Sequence, residues 1–257
     1  MASSARVVIV PAAGLSQRFR DASIFLPKPL IRFNWRNYGE QAMIEHALGP
    51  LRNSERVVVV CRKEDLLSFV DRLPNHWLFV PVESTRGQAD SVRIGLKGAM
   101  ECWEGDKFEV MVVNTDAGFV YPLDVFYEQA RNFPGAVMVF RGHGDTSYSY
   151  VCDYPLFSHA QEKRPISPWA IAGAYYFQDS RCLYEALVAQ ARDNITHAGE
   201  LYLSGVFNVG PYRLSRFLAV AMHRWQLAVW GTPEDLARDA SVGIVDEGIQ
   251  KMLSLCE

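Results

Sequence analysis

Apolar runs of five or six residues recur along the first half of the chain, with helix-period segments between them. Arg6 to Pro11, Arg56 to Cys61, Trp77 to Val82 and Glu109 to Asn114 are nearly all apolar. That is the pattern of strands covered on both faces in a parallel sheet. Gln41 to Leu51, Glu64 to Arg72 and Gln88 to Met100 read as helices, and Pro122 to Asn132 as another that opens on proline. Strands alternating with helices predict a parallel sheet flanked on both sides. The texture then changes. Ala136 to Arg141, Ser147 to Asp153 and Ala170 to Gln178 alternate more and predict antiparallel or edge strands. Helices are expected at Arg181 to Arg192 and near Glu200 to Asn208. Gln226 to Trp230 predicts a last strand before Thr232, which reads as an N-cap with proline and acids behind it. Ile249 to Cys256 predicts a short closing helix. With no repeat, low-complexity tract or linker, residues 1–257 are expected to form one domain, divided near residue 116 into two halves.

Composition narrows the classes of function. The net charge of -3 gives no overall field for nucleic acid or an anionic membrane, so any phosphate recognition must be local. Cys61, Cys102, Cys152, Cys182 and Cys256 form no CxxC pair and predict reduced thiols used mainly in packing. The histidines lack zinc-ligand spacing. No apolar run approaches the roughly 18 residues of a membrane span, and the N-terminus lacks a signal-peptide core. A soluble cytoplasmic protein is the expectation.

The stretch VVIVPAAGLSQRFRDASIFLPKPL, Val7 to Leu30, carries the first chemistry. A strand that breaks into a glycine turn presents backbone N–H groups to phosphate. Neither the dinucleotide GxGxxG nor the Walker pattern is present. What remains is Arg18, able to grip phosphate oxygens bidentately, and Lys28, held between two prolines that stiffen its backbone. Cations and backbone donors converging on one loop suit a triphosphate; a plain turn with solvated arginines is the bland alternative.

AAGLSQRF followed by LPKPL resembles the signature of the nucleotidyltransferases that activate sugar phosphates, and in looser form that of small-molecule cytidylyltransferases. The resemblance implies a Rossmann-like GT-A-type three-layer α/β sandwich, with a mixed, mostly parallel sheet and helices on both faces. It implies transfer of a nucleoside monophosphate from a nucleoside triphosphate (NTP) to a phosphorylated acceptor, a sugar 1-phosphate foremost, with release of pyrophosphate and dependence on Mg²⁺. Such chemistry supplies precursors of cell-surface polysaccharides. Residues to about 116 would bind the nucleotide and the remainder the acceptor. The partners expected are small molecules, with no nucleic acid and no membrane; self-association is left open.

Carried over residue by residue, the resemblance makes the backbone at Ala12, Ala13 and Gly14 nucleotide-binding and Arg18 and Lys28 the clamp on the leaving phosphates. GQADSV gives Gln88 and Ser91 as contacts to base and ribose; a helix start packed by Val92 and Leu96 is the structural alternative. Asp116 ends an apolar strand, where α/β sheets collect their ligands, and corresponds to the family's metal ligand. Glu162 and Lys163 precede AIAGAYYF, similar to the family's AxxGxYxF strand: Glu162 would bind acceptor hydroxyls and Lys163 the acceptor phosphate. Gly173 would admit the acceptor, or merely relieve packing in a crowded strand. Glu200 corresponds to an acid that begins a helix by the acceptor pocket. Three positions depart from the family pattern: Ser16 stands where glycine is usual, Gln17 where Ser or Thr is, and Val229 where a second metal-binding aspartate precedes GTPEDL. Glu234 and Asp235 lie close by but suit the first turn of a helix.

Two other readings follow. One is a cytidylyltransferase for a non-sugar phosphate. The other, prompted by Val229, is a nucleotide-binding regulator with impaired catalysis. A nicotinamide oxidoreductase fits poorly, since Cys61 and Arg62 stand where an acid would end the second strand.

Overall fold

The computed structural model describes residues 5–54, 56–103 and 107–239. The chain runs β1 (Arg6–Pro11), α1 (Gln17–Asp21), β2 (Arg32–Asn34), β3 (Glu40–Ala42), α2 (Met43–Leu48), β4 (Val57–Arg62), α3 (Leu66–Val70), β5 (Leu78–Val82), α4 (Gln88–Cys102), β6 (Glu109–Val113) and β7 (Ala117–Phe119). It continues through α5 (Leu123–Ala130), β8 (Gly135–Arg141), β9 (Tyr150–Val151), β10 (Leu156–Phe157), β11 (Ala160–Gln161), β12 (Trp169–Phe177), α6 (Ser180–Arg192), β13 (Phe217–Ala221), β14 (Leu227–Val229) and α7 (Pro233–Asp239).

The main sheet has the order β10-β13-β8-β12-β6-β1-β4-β5. β5, β4, β1 and β6 are parallel, while β12 runs antiparallel between β6 and β8. Alternation along β1 explains the two cores. Val8 and Val10 face one side, with Leu48 of α2 and Phe126 of α5, and Val7 and Ile9 face the other, with Val92 and Leu96 of α4 and Leu183 of α6. The sheet is therefore sandwiched as the strand–helix alternation predicts. Helix ends follow capping chemistry: Asp179 accepts from the N–H groups of Arg181 and Cys182, and Thr232 and Asp235 bond reciprocally at the start of α7.

Two expectations are corrected, one is sharpened and one strand is new. β12 is antiparallel, one of the two readings of its pattern, and it lies in the sheet interior instead of at an edge; it is the longest strand there, and its apolar run from Ala170 to Phe177 is buried throughout. The strand expected from Ser147 to Asp153 shrinks to Tyr150–Val151, because residues 142–149 are spent on a turn in which Asp145 accepts from Ser147 N. Gln41 and Ala42 belong to β3, and the helix that follows stops at Gly49. β13 was not foreseen; its five residues extend the sheet beside β8. The helix expected at Ile249 to Cys256 lies outside the described residues.

A third cluster matters for function. Phe19 of α1, Ile31, Phe33 of β2, Trp35, Met43 and Trp230 are all buried together, with Leu236 of α7. Trp230 meets Phe33 and Trp35 edge-on at 4.9 and 5.2 Å. His46 joins the rings, its Nε2 2.8 Å from the Phe33 carbonyl, and burial lowers its pKa. This aromatic knot lies under the loop between β1 and β2.

Candidate active site

A cavity of about 840 Å³ opens at the carboxyl ends of β1 and β6. β1 lies where the strand order reverses, with β4 and β5 on one side and β6 on the other, so the cavity sits at the topological switch point. Every site residue expected from the sequence lines it: Ala12, Ala13, Gly14, Arg18, Lys28, Gln88, Ser91, Asp116, Glu162, Lys163, Gly173 and Glu200.

At one end Lys28 Nζ lies 3.0 Å from Asp116 Oδ2. The Lys28 ammonium holds the Asp116 carboxyl below the usual carboxylate range, and Arg18 adds to the effect. Asp116 keeps 38% of its side-chain surface open, so a carboxylate oxygen is available to the cavity. Arg18 has no ion-pair partner among the described residues. Pro27 and Pro29 set Lys28 in a tight helical turn whose apolar residues, Pro29 and Leu30, are buried. The Lys28 amide donates to Ser16 Oγ at 3.4 Å, joining the two halves of the loop. Ser16 itself has φ 53, a left-handed conformation that glycine adopts without strain.

Val229 also lines this end. β14 pairs antiparallel with β7, aligning Val229 with Ala117, and Trp230 N donates to the Asp116 carbonyl at 2.8 Å. The valine thus stands beside Asp116. Asp235 does not replace it, because one of its carboxylate oxygens caps Thr232 N and the other pairs with Arg238. Among the described residues no cluster of three His, Cys, Asp or Glu can hold a metal. A single ionised carboxylate fits Mg²⁺ only as an ion that arrives largely coordinated by substrate phosphates and water.

Gln88 opens α4 and Gly87 precedes it at φ 119. A Cβ there would fall 2.8 Å from the Leu201 carbonyl, so only glycine allows the chain at 201 to cross the helix start. Leu201 in turn bonds Arg86 O and Ala89 N, and Leu203 N donates to Gln88 Oε1. The Gln88 amide donates to Asn114 Oδ1, and the Ser91 hydroxyl, nearly buried, donates to Thr85 Oγ1 at 3.0 Å. These two residues are therefore wired into the wall, although each keeps a donor or acceptor for a ligand. Asn114 is the residue that sequence reasoning missed. Its amide N–H bonds Gly173 O, and a Cβ on Gly173, whose φ is 95, would lie 3.0 Å from Asn114 Nδ2. Gly173 is thus required by packing against Asn114, at a bulge of β12.

The other end is polar. Glu162 accepts from the hydroxyls of Ser149 and Ser204. Lys163, with φ 51, turns its ammonium to Tyr202 OH at 2.9 Å and over the Tyr202 ring at 4.8 Å. That hydrogen bond raises the Lys163 pKa, keeping the ammonium charged. Glu200 does not begin a helix: it sits in the turn from His197 to Glu200, and the following tight helix starts at Leu203. Gly199, at φ 83, provides the turn that displaces it.

Residues 8–193 match the model of the MobA-like NTP transferase domain. The chain belongs to that family of nucleotidyltransferases. No curated protein matches it in sequence. Among solved structures, a nucleoside-diphosphate-sugar pyrophosphorylase from Vibrio cholerae RC9 is 22% identical with a TM-score of 0.73, covering 90% of this chain and 98% of that one. A UDP-glucose pyrophosphorylase from Acinetobacter baumannii (16% identical, TM-score 0.66) covers 98% and 99%. The inositol-1-phosphate CTP transferase from T. maritima (14% identical, TM-score 0.65) covers 98% of each chain. At these identities the three share the fold. No helix among the described residues is long and apolar enough to cross a membrane.

Proposed function

We propose that this member of the MobA-like NTP transferase family joins a nucleoside monophosphate from an NTP to a phosphorylated acceptor, a sugar 1-phosphate foremost, and releases pyrophosphate. The observation that carries this reading is one cavity with Arg18 and the Lys28–Asp116 pair at one end and Glu162 with Lys163 at the other. Two anions must meet in such a reaction, and each end offers a cation to one of them.

The acceptor phosphate oxygen attacks the α-phosphorus in line, and the bond to pyrophosphate breaks. Little covalent work falls to the protein, so its contribution is positioning and charge. Arg18 and Lys28 hold the β- and γ-phosphates as negative charge builds on the leaving group. Backbone at Ala12 to Gly14 lines the nucleotide, while Gln88 and Ser91 present their remaining hydrogen-bonding capacity to base and ribose. Glu162, fixed by its two serines, takes acceptor hydroxyls, and Lys163 leaves Tyr202 to neutralise the acceptor phosphate. Glu200 borders that pocket. Mg²⁺ held by Asp116 together with substrate phosphates would supply further charge neutralisation.

The test is pyrophosphate release from each of the common NTPs with Mg²⁺, across a panel of sugar 1-phosphates and of inositol, choline and polyol phosphates. One NTP–acceptor pair is expected to give turnover that depends on both substrates. A panel that stabilises the protein against heat with one NTP yet gives no turnover would favour the regulator, the reading prompted by Val229 beside Asp116.

A further inference from the structure

Behind Lys163 lies a second chamber of about 460 Å³. It shares Glu162, Lys163 and Tyr202 with the main cavity, so the Lys163–Tyr202 contact is the partition between them. The chamber is not needed to explain nucleotide binding, because none of Arg18, Lys28, Gln88 or Asp116 reaches it. Its walls combine Arg164 and His197 with Gln190.

Three features give it a chemical character. Arg164 is exposed and has no hydrogen-bond or ion-pair partner among the described residues. Glu162, the acid nearest by sequence, accepts from Ser149 and Ser204 through Oε2 and makes no ion pair with Arg164. Gln190 is 1% exposed; its amide nitrogen donates to Ile195 O and Tyr202 O, which fixes the orientation of the carboxamide and leaves Oε1 buried without a donor. A buried acceptor without a partner is costly and rare in a folded protein. The chamber therefore offers positive charge without an acidic partner, on a wall that the Gln190 carboxamide holds in place, the complement of an anionic group.

We propose that the acceptor is a phosphomonoester bearing a second anionic group, a carboxylate or a second phosphate, and that this group occupies the side chamber against Arg164 and His197. The proposal rests on the nucleotidyltransferase reading above and adds the class of acceptor. A guanidinium binds either anion bidentately. Lys163 stands at the doorway, where its turn away from Tyr202 toward the reacting phosphate would also open the passage. The roof is the loop from Asp193 to Tyr202, tethered to the nucleotide side by Arg86 donating to Asn194 Oδ1 at 2.7 Å.

The experiment measures calorimetric binding of matched acceptor pairs: glucose 1-phosphate against glucose 1,6-bisphosphate, and inositol 1-phosphate against inositol 1,4-bisphosphate. In at least one pair the bisphosphate is expected to bind about tenfold more tightly, as an added charge-assisted contact predicts. Arg164→Ala should erase that advantage, and Thr196→Trp, which fills the chamber, should do the same. Both positions lie away from the sheet core, and a retained heat-stabilisation by NTP verifies that each variant is folded. Equal binding within both pairs overturns the proposal, as does an advantage that survives Arg164→Ala. Either result leaves NTP-dependent pyrophosphate release intact, whereas failure of the parent reading would remove that release for every acceptor.

Discussion

The two ends of the cavity, proposed to hold the leaving phosphates and the acceptor, are built from different materials. The leaving-phosphate end sits on the aromatic knot of Phe19, Phe33, Trp35 and Trp230, all nearly or wholly buried. The acceptor end is held by side-chain hydrogen bonds among Ser149, Glu162, Lys163, Tyr202 and Ser204, on loops that include the left-handed residues Lys163, Asn194 and Ala198. Packing fixes position through many small contacts that reinforce one another. A hydrogen-bond network fixes it through a few directional contacts, each exchangeable for water or ligand. The first end suits a ligand common to the whole family, the triphosphate. The second suits an acceptor that differs from one protein to the next.

Removing the knot is the largest perturbation. Trp230→Ala deletes a fully buried ring that supports both Trp35 and the strand beside Asp116. It should cost about 3–5 kcal/mol of stability. Denaturant unfolding reads this loss, and calorimetry of the surviving folded protein reads nucleotide affinity, which should fall as well. A variant that lost the stability but bound NTP as tightly as before would show that the knot does not position the clamp.

Lys28→Ala comes next. It takes away a preorganised charge and leaves Asp116 without its 3.0 Å partner. Turnover should drop about 100-fold, a difference of about 2.7 kcal/mol. Undiminished pyrophosphate release would dismiss Lys28 from the clamp. Lys163→Ala tests the opposite end and should divide the parameters differently. The acceptor KM should rise by roughly tenfold or somewhat more, about 1.5–2 kcal/mol for a hydrogen bond to a charged group, with NTP affinity unaltered. If NTP affinity fell equally, the two ends would not be separable.

The Arg18–Lys28 end of the cavity is legible in the sequence because its parts are continuous: strand, turn, Arg18 and the prolines around Lys28 all fall within Val7 to Leu30. Long apolar strands were also plain, β1 to the residue. What escaped notice depends on distant segments meeting. Asn114 acquires its role only because β12 bulges at Gly173 beside it, and the side chamber exists only because the loop after α6 folds back over Arg164. The sequence around Glu200 reads as a helix start, since the tight turn at Gly199 leaves no periodic trace. The interior position of β12 could not be read from alternation, which reports burial and not strand order.

Val229→Asp sharpens the comparison at the metal. The substitution puts a second carboxylate beside Asp116 without entering the knot, since Val229 lies on the cavity side of β14. The Mg²⁺ concentration for half-maximal turnover should fall about tenfold, equivalent to about 1.4 kcal/mol. Turnover that keeps its Mg²⁺ dependence unchanged would mean that the ion is held by phosphates without help from this strand.

Ser16→Gly has the smallest expected effect and tests the loop from within. Three contributions oppose one another: glycine relieves the left-handed strain at φ 53, it gains freedom in the unfolded chain, and it gives up the 3.4 Å bond from the Lys28 amide. Each is about 1 kcal/mol or less, so stability should move by under about 1 kcal/mol. The bond to Ser16 is long, and Lys28 is already set by its prolines and by Leu30 in the core, so the half-saturating NTP concentration should shift less than about threefold. A tenfold rise would instead make the serine hydroxyl the device that holds the clamp. The leaving-phosphate end would then depend on a directional polar contact of the kind that builds the acceptor end, and the contrast between the two would fail at Ser16.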